Sequence, residues 1–518
     1  MNDRYVLSID CGTQSVRGLL FDDQGHLVAK HKVEFEPYAS PVPGFAEHPA
    51  EDYWRDTCTA LQALKQESPE AWSRIAAVAV TTQRDTVVPL DADGVPLRPA
   101  IVWLDQRMAR CEKPMPLVDR LQFKLVGMTT AVEITRRKGK DNWMVENEPD
   151  LWARTKKWLL LSGYFSFRLT GRYVDSVASQ IGHTPFDYHT RTWPKSSSSW
   201  RWHMCSARKD QMPELVDAGE PMGTVSAQAA RETGIPEGMP VIAAGSDKGC
   251  ETLGVGCIDE TSVSLSFGTT ATAQTTSRRY FEPIPFMPPY PASIKQSYNP
   301  EVEIFRGYWM VSWFKKEFAA REAVEAEQRG VLPEVVLDEH LNDIPPGSQG
   351  LMLQPYWGPG LKMPEAKGSM IGFGDVHTRA HIYRAIIEGI GYGLLEGVER
   401  IERKSGVKVT RVMVSGGGSQ SDAICQITAD LFNRPVVRSE TYETSGLGAA
   451  INGFVGIGVY ATHEEAVKNM VHWNGTFLPQ AEAARIYHDL YTHVYKHIYQ
   501  ALRPLYREIQ RITGYPDI

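Results

Sequence analysis

An apolar strand that ends in Asp10-Cys11-Gly12-Thr13-Gln14-Ser15 places a carboxylate, a glycine and two hydroxyls around one bend. Gly12 lets backbone N–H groups approach an anion such as phosphate closely. Thr13 and Ser15 add hydroxyl donors, and Asp10 can hold Mg²⁺ through oxygen, directly or through waters. The same residues also read as an ordinary hairpin with a polar turn. Gly268-Thr269-Thr270 repeats the Gly-Thr bend later in the chain. Alone it is only a turn; paired with the first bend it could grip one polyphosphate from both sides. Ser415-Gly416-Gly417-Gly418-Ser419 lies between the apolar Val412-Met413-Val414 and a helix expected from near Asp422. Such glycines let a flat ring or a phosphate lie against the backbone, or simply make a tight strand-to-helix turn. The spacing of a dinucleotide fingerprint fails here, and no Gly-Lys-Ser/Thr of a P-loop occurs in the chain.

Ala244-Gly245-Ser246-Asp247-Lys248 puts an Asp at an expected helix start. Asp247 reads either as a helix cap or as a base taking the proton of an alcohol that attacks a phosphoryl group. Gln83-Arg84-Asp85 follows an expected buried strand, and Trp103-Leu104-Asp105-Gln106-Arg107 comes soon after. Open α/β sheets place ligands at the carboxyl ends of their strands. An Arg–carboxylate pair with a tryptophan suits a polyhydroxylated molecule, because charged groups bond the hydroxyls while the indole covers the carbon face. A structural salt bridge beside a core Trp is the competing reading. His493 and His497 are an i,i+4 pair without an acidic third ligand, and read as a solvated helix face. Tyr487, Tyr491, Tyr495, Tyr499, Leu502 and Tyr506 read as the packing stripe of an amphipathic final helix.

The elements that must hold these groups follow from periodicity. Strands are expected at residues 4–10, 16–21 and 28–35, a helix at 51–65 and a short buried strand at 75–81. A further strand at 240–244 leads to Asp247, and strands at 261–266 and 271–276 flank the second Gly-Thr bend. Strand-then-helix alternation predicts an α/β fold. The repeated strand–bend–strand plan opens each half, which divides the chain into residues 1–257 and 258–518. The serine run 196–199 is expected as a surface loop, and the proline-rich stretch 283–291 as an irregular excursion.

The 518 residues allow three to four units of about 150 residues or two of about 250. With 42% apolar and 23% charged residues, the chain can bury a core and is neither disordered nor fibrous. A net charge of −7 argues against a nucleic-acid binder or a polybasic membrane surface. Seven cysteines with no Cys-x-x-Cys pair read as reduced thiols. No stretch approaches a membrane span, and the strand beginning at Tyr5 leaves no room for a signal peptide. The expectation is a cytoplasmic metabolic enzyme or ATP-driven module.

In order along the chain, these motifs resemble the FGGY carbohydrate kinases, the group of glycerol kinase, xylulokinase, gluconokinase and ribulokinase. The resemblance also takes in Gly44-Phe45-Ala46-Glu47-His48-Pro49, Leu169-Thr170-Gly171, Gly368-Ser369-Met370-Ile371-Gly372-Phe373 and Gln426-Ile427-Thr428-Ala429-Asp430. It implies two actin-like (ribonuclease H-like) ATPase domains flanking a deep cleft, and ATP-dependent phosphorylation of a hydroxyl on a sugar, polyol or sugar acid. By matching position, Gly12, Thr13, Gln14, Ser15, Gly268, Thr269 and Thr270 would hold the phosphates of ATP. Gly416, Gly417, Gly418 and Ser419 would lie on the adenosine side, Asp10 on the Mg²⁺ side, and Asp247 would be the base. Gln83, Arg84, Asp85 and Trp103, with Asp247 and Lys248, would contact the substrate. Family members commonly form homo-oligomers, and the same is expected here by analogy. Asp85 is one methylene shorter than the family's Glu, and Lys248 stands where glycerol kinases carry Gln. Thr135 and Thr272 stand where those enzymes place aromatics. These departures imply a pocket for a pentose- or hexose-sized substrate, with Lys248 favouring an anionic or carbonyl-bearing one. The competing reading is an actin-like ATPase switch or assembly module without a phosphoacceptor, which has no use for the Gln83-Arg84-Asp85/Trp103 cluster.

Overall fold

The computed structural model describes residues 4–357, 363 and 365–515. The first half forms a six-stranded sheet from β1 (Tyr5–Cys11), β2 (Ser15–Phe21), β3 (Leu27–Glu34), β4 (Ile75–Thr82), β5 (Pro221–Thr224) and β6 (Pro240–Ser246). Their order is β5-β6-β4-β1-β2-β3. β1 to β3 form an antiparallel meander, α1 (Ala50–Glu67) leads on towards β4, and β4 and β6 run parallel to β1 and to each other. Val6, Leu7 and Ile9 of β1 are fully buried, as a central strand covered on both faces requires. β3, at the sheet edge, alternates half-buried and exposed residues and carries Lys30 and Lys32, charges that discourage pairing with another chain. β6 runs directly into α2 (Asp247–Gly254).

The second half repeats the plan. β7 (Ser262–Phe267), β8 (Ala271–Gln274), β9 (Glu301–Ile304), β10 (Arg411–Ser415), β11 (Val436–Ser439) and β12 (Trp473–Phe477) lie in the order β9-β8-β7-β10-β11-β12. Both sheets share the meander followed by two parallel strands. They differ in the sixth strand, which precedes its neighbour in sequence in the first half and follows it in the second. The long α3 (Arg379–Ser405) supplies Ile386 and Ile390 to the core under this sheet, α4 (Asp422–Phe432) follows β10, and α5 (Thr444–Gly456) follows β11.

The two halves exchange these last helices. On α5, Leu447, Ala450, Ile451 and Phe454 pack in one apolar cluster with Val6, Leu19, Ala77 and Ile242 of the first sheet, and Ser8 Oγ donates to the Gly446 carbonyl at 2.8 Å. On α2, Thr252 bonds Gln274 of the second sheet, and Glu251 accepts from Ser266 at 2.8 Å and Ser415 at 2.7 Å. α2 and α5 cross so closely that a Cβ on Gly254 would overlap the Thr444 carbonyl, and one on Gly448 the Cys250 carbonyl. Behind α5, the buried His463 meets Asn452 Oδ1 at 3.0 Å through Nε2. Burial lowers its pKa from 6.5 to about 4. The folded state therefore resists a proton that the unfolded chain accepts, and this stability, complete above pH 6.5, is lost as pH falls towards 4. Between pH 7 and pH 4.5 the His463 contribution should fall by about 2 kcal/mol, and His463→Gln should flatten that part of the melting-temperature profile.

A four-stranded sheet (Glu47–His48, Ala100–Ile101, Val87–Leu90, Lys157–Leu160) is added to the first half. Arg84 and Asp85 lie where β4 leads into it and Trp103 just after its strand Ala100–Ile101, which fixes the cluster beside the first hairpin. The expected strands are present to within one or two residues. The expected single final helix is instead Ala481–Leu490, a π-helical turn Tyr491–Tyr495, and Lys496–Thr513. The wide turn lets Tyr491 and Tyr495 both pack on Tyr392, with ring centroids 5.9 and 5.1 Å apart. His493 and His497 are exposed, as is most of the 196–199 loop. Among the described residues no helix is long and apolar enough to cross a membrane.

Candidate functional site

The first hairpin closes with Gly12 N–H donating to the Ser15 carbonyl at 3.0 Å. Its tip carries the exposed Gln14, and Ser15 is buried. The Thr13 hydroxyl donates to Gln83 Oε1 at 3.1 Å and accepts from Trp103 Nε1 at 2.9 Å, while Gln83 Nε2 donates to the Tyr53 hydroxyl at 3.1 Å. One hydroxyl thus joins the phosphate-type bend to the Gln83/Trp103 cluster. Thr13→Val removes both bonds while keeping the shape. The expected result is a five- to tenfold rise in sugar KM at saturating ATP, the size of one or two ordinary hydrogen bonds.

Asp10, 4% exposed at the end of β1, accepts from Arg17 Nη1 at 3.0 Å. Burial pushes its carboxyl up to about 6 against the pull of Arg17, and the charges of Asp247 and Glu443 add to the rise. The charge of Asp247 is thus felt at Asp10, within the first half. Asp247 is the first residue of α2 and does not cap it: Ser246 Oγ takes the Gly249 N–H at 3.2 Å. The helix-cap reading fails for this reason. Asp247 Oδ1 accepts the Lys248 N–H at 2.8 Å, and its other oxygen has no hydrogen-bond partner among the described residues. Burial raises its pKa, opposed by Arg84 and Lys248.

Arg84 and Asp85, adjacent in sequence, turn apart. Arg84 Nη1 donates to both oxygens of Glu301 at 2.9 and 3.0 Å, its Nε to Ser246 Oγ at 3.3 Å, and its guanidinium lies 5.0 Å from the Tyr290 ring centroid. Its Nη2 is buried without a partner. This pair joins the two halves. Asp85 adopts φ 48° and is held by Lys140 Nζ at 2.9 Å and His183 Nδ1 at 3.0 Å, with the His183 N–H on Oδ1 at 3.0 Å. Burial opposes its ionisation, but the Lys140 ammonium and the hydrogen bonds from His183 hold the carboxyl well below the usual carboxylate range. The Arg–carboxylate pair expected from the sequence is thus two separate pairs, with partners remote in the chain. Trp103 keeps 36% of its surface exposed beside them.

Lys248 points elsewhere. Its Nζ donates to Glu251 Oε2 at 2.7 Å and Ser266 Oγ at 2.6 Å, at the base of the second hairpin. The ammonium of Lys248, expected to contact the substrate, lies beside Gly268, where the buried Glu251 draws it. In the second hairpin Gly268 and Thr269 accept the Tyr308 and Trp309 N–H groups at 3.0 and 3.3 Å, and Thr270 Oγ1 donates to the Phe305 carbonyl at 3.2 Å. Glu251 also gathers Ser415, so one carboxylate fixes this hairpin, the glycine loop and α2 together. Gly416 turns with φ 81°, and a Cβ there would lie 2.9 to 3.1 Å from the Phe267 backbone. Beyond it are Gly417 and Gly418; Ser419 is buried, and its hydroxyl turns back onto the Gly416 carbonyl at 2.7 Å.

Of the two threonines standing for aromatics, Thr135 donates to the Ala131 carbonyl at 2.8 Å, and Thr272 lies opposite Glu303 in register. Sequence reasoning missed Arg17, Lys140, His183, Tyr290, Glu301 and Glu251. Only Arg17 was within reach, since it is the residue paired with Asp10 across the hairpin.

The chain matches the FGGY family of carbohydrate kinases, its N-terminal domain over residues 5–254 and its C-terminal domain over residues 263–457. An uncharacterized sugar kinase of Escherichia coli K12 is 29% identical over 489 residues, covering 94% of this chain and 92% of the relative. The xylulose kinase of Bacillus subtilis 168 is 29% identical over 520 residues, covering 95% and 97%. The crystal structure of xylulose kinase from Rhodospirillum rubrum shares the fold with a TM-score of 0.83 at 24% identity, covering 97% of this chain and 100% of that one. Plasmodium falciparum glycerol kinase with ADP shares it with a TM-score of 0.75 at 17% identity, covering 95% and 98%. The reading as an ATPase switch without a phosphoacceptor is set aside by the family match. With two actin-like domains and a hairpin at the head of each, the chain belongs to the FGGY family of carbohydrate kinases, and is an ATP-dependent phosphotransferase acting on a sugar hydroxyl.

Proposed function

We propose that the enzyme phosphorylates a hydroxyl of a pentose- or hexose-sized sugar, with Asp247 as the base. The same reading divides the chain into residues 1–257 on the sugar side and 258–518 on the ATP side, in a cytoplasmic and homo-oligomeric protein. The observation that carries it is Asp247: relieved of capping by Ser246, it keeps one oxygen without a partner among the described residues, at the start of the helix crossing between the halves. Phosphoryl transfer asks of the protein mainly alignment and charge neutralisation. The N–H groups of Thr13 and Gln14 at the tip of the first hairpin would hold phosphate oxygens from one side, Gly268, Thr269 and Lys248 from the other. Gln83, Arg84 and Trp103 would orient the sugar, with Asp85 fixing the Lys140 and His183 wall. The Arg84–Glu301 pair ties both halves over the reacting groups, which keeps water from competing for the phosphoryl group.

Mg²⁺ fits beside Asp10. The charge of Asp247 adds to the negative charge around Asp10, and among the described residues no group of three or more ligating side chains could hold a metal alone. An ion held by Asp10 would take its remaining oxygens from phosphate and water, as Mg²⁺ does. Bound there it would neutralise charge on the phosphates.

The size of the substrate rests on Thr135 and Thr272 and on the xylulose kinases among the relatives. A coupled ADP-release screen over polyols, ketoses and sugar acids tests it. A pentose- or hexose-sized compound should give the highest kcat/KM, and glycerol as the best substrate would refute the reading.

A further inference from the structure

We infer that His183, held in place by Asp85, binds the sugar through its Nε2 atom, and that Asp85 positions this ring without touching the sugar itself. The inference rests on the sugar-kinase reading above and adds a substrate contact to it.

From its place in the sequence Asp85 is expected to meet substrate hydroxyls, but its oxygens are occupied within the protein. Oδ1 accepts the His183 N–H at 3.0 Å, and Oδ2 meets His183 Nδ1 at 3.0 Å and Lys140 Nζ at 2.9 Å. The chain wraps the carboxylate closely. The Asp85 N–H donates to the Ile181 carbonyl at 3.1 Å, and the following Gly182 has φ 150°, where a Cβ would overlap Asp85 Oδ1. Only glycine lets the next residue fold over the carboxylate in this way. Lys140 is itself buried, its ammonium closed onto the Asp85 side chain and carbonyl. His183 is the open member of the three. Its side chain keeps 28% of its surface exposed, and Nε2 has no hydrogen-bond partner among the described residues.

The loop carrying His183 also borders the cluster proposed to hold the sugar. The Tyr188 phenol lies against the Gly182 backbone and senses the charges of both Asp85 and Arg84. Its ring centroid is 6.1 Å from that of Tyr290, the ring over which the Arg84 guanidinium lies. Arg84 in turn bonds Ser246, the residue before Asp247. The His183 loop and Arg84 therefore border one tyrosine pair, close to the proposed base. The Asp85 carboxylate is held ionised and can only accept, so the ring proton between them sits on Nδ1. In the neutral ring Nε2 then offers its lone pair to a hydroxyl proton; when the ring is charged it donates to a hydroxyl oxygen. A sugar hydroxyl suits both states, and the carboxylate behind the ring fixes where that hydroxyl must lie.

The test compares wild type, H183N and H183Q as full chains with saturating Mg²⁺ and ATP on D-xylulose, D-ribulose, xylitol and D-gluconate. Asparagine reproduces Nδ1 and keeps the Asp85 bond but ends short of Nε2; glutamine reaches the Nε2 position but gives up that bond. For the best wild-type substrate, H183N should raise the sugar KM about five- to tenfold, the size of one hydrogen bond. The KM for ATP should not change, and H183Q should raise the sugar KM less. The reverse order, with H183N like the wild type, would show a ring that only braces Asp85 and would overturn the inference. A measurement on the wild type does not depend on either variant folding. The same sugar at saturation should slow carbethoxylation of His183 by diethyl pyrocarbonate, read by peptide mass spectrometry, while the exposed His493 and His497 react as before. A His183 left unprotected in an enzyme that turns the sugar over would also overturn the inference. A wild type that phosphorylates no compound of the panel would refute the sugar reading and this inference together; an active wild type with no effect at His183 would refute the role of His183 alone.

Discussion

Replacing Asp247 by Asn should lower kcat by at least about 10²-fold, the usual contribution of a positioned general base, and leave ATP binding nearly intact. Asparagine keeps the size of the side chain and can still accept the Lys248 N–H, and Ser246, not residue 247, caps the helix. The fold should therefore survive. What is lost is the oxygen without a partner that would take the proton of the attacking hydroxyl. The substitution also removes a negative charge facing Asp10, so nucleotide affinity has no electrostatic reason to fall. Steady-state kcat with the best panel sugar and the ATP dissociation constant by calorimetry check the two halves of this expectation. Turnover close to wild type would reject Asp247 as the base.

Gly448→Val should have the largest effect on stability. The added side chain would overlap the Cys250 carbonyl at the crossing of α5 with α2, and backbone cannot step aside as a flexible side chain can. Overpacking of this kind costs about 3 kcal/mol or more where helices cannot separate. Separation here would also shift the start of α2, and with it Asp247. Ile451→Val, on the same helix and buried in the same interface, is the control, with a cost of about 1 kcal/mol. Thermal melting should rank wild type, Ile451→Val and Gly448→Val in descending order. A Gly448→Val protein as stable as Ile451→Val would show that the crossing tolerates a side chain.

The local elements were legible because their signals are local. Burial on both faces marks β1 as an apolar run, and the Gly-Thr bends could be found because each must reverse the chain within a few residues. The repeat of one plan in both halves could be read from the two hairpins alone. The exchange of α2 and α5 could not, since nothing in either helix names the sheet it will cover. The π-helical turn escaped for the same reason: its cause is Tyr392, about a hundred residues earlier.

By itself, then, the sequence determined the strand–bend–strand units, the residue types needed for phosphate and hydroxyl chemistry, and their order along the chain, because backbone geometry and periodicity act over a few residues. Only the tertiary structure decided the partners. Arg84 left its neighbour Asp85 for Glu301, and Lys248 turned to Glu251 and Ser266. Charges pair with whatever the packing of distant segments brings within reach, and in a partly buried junction that choice is set by desolvation and geometry, which adjacency in sequence does not encode.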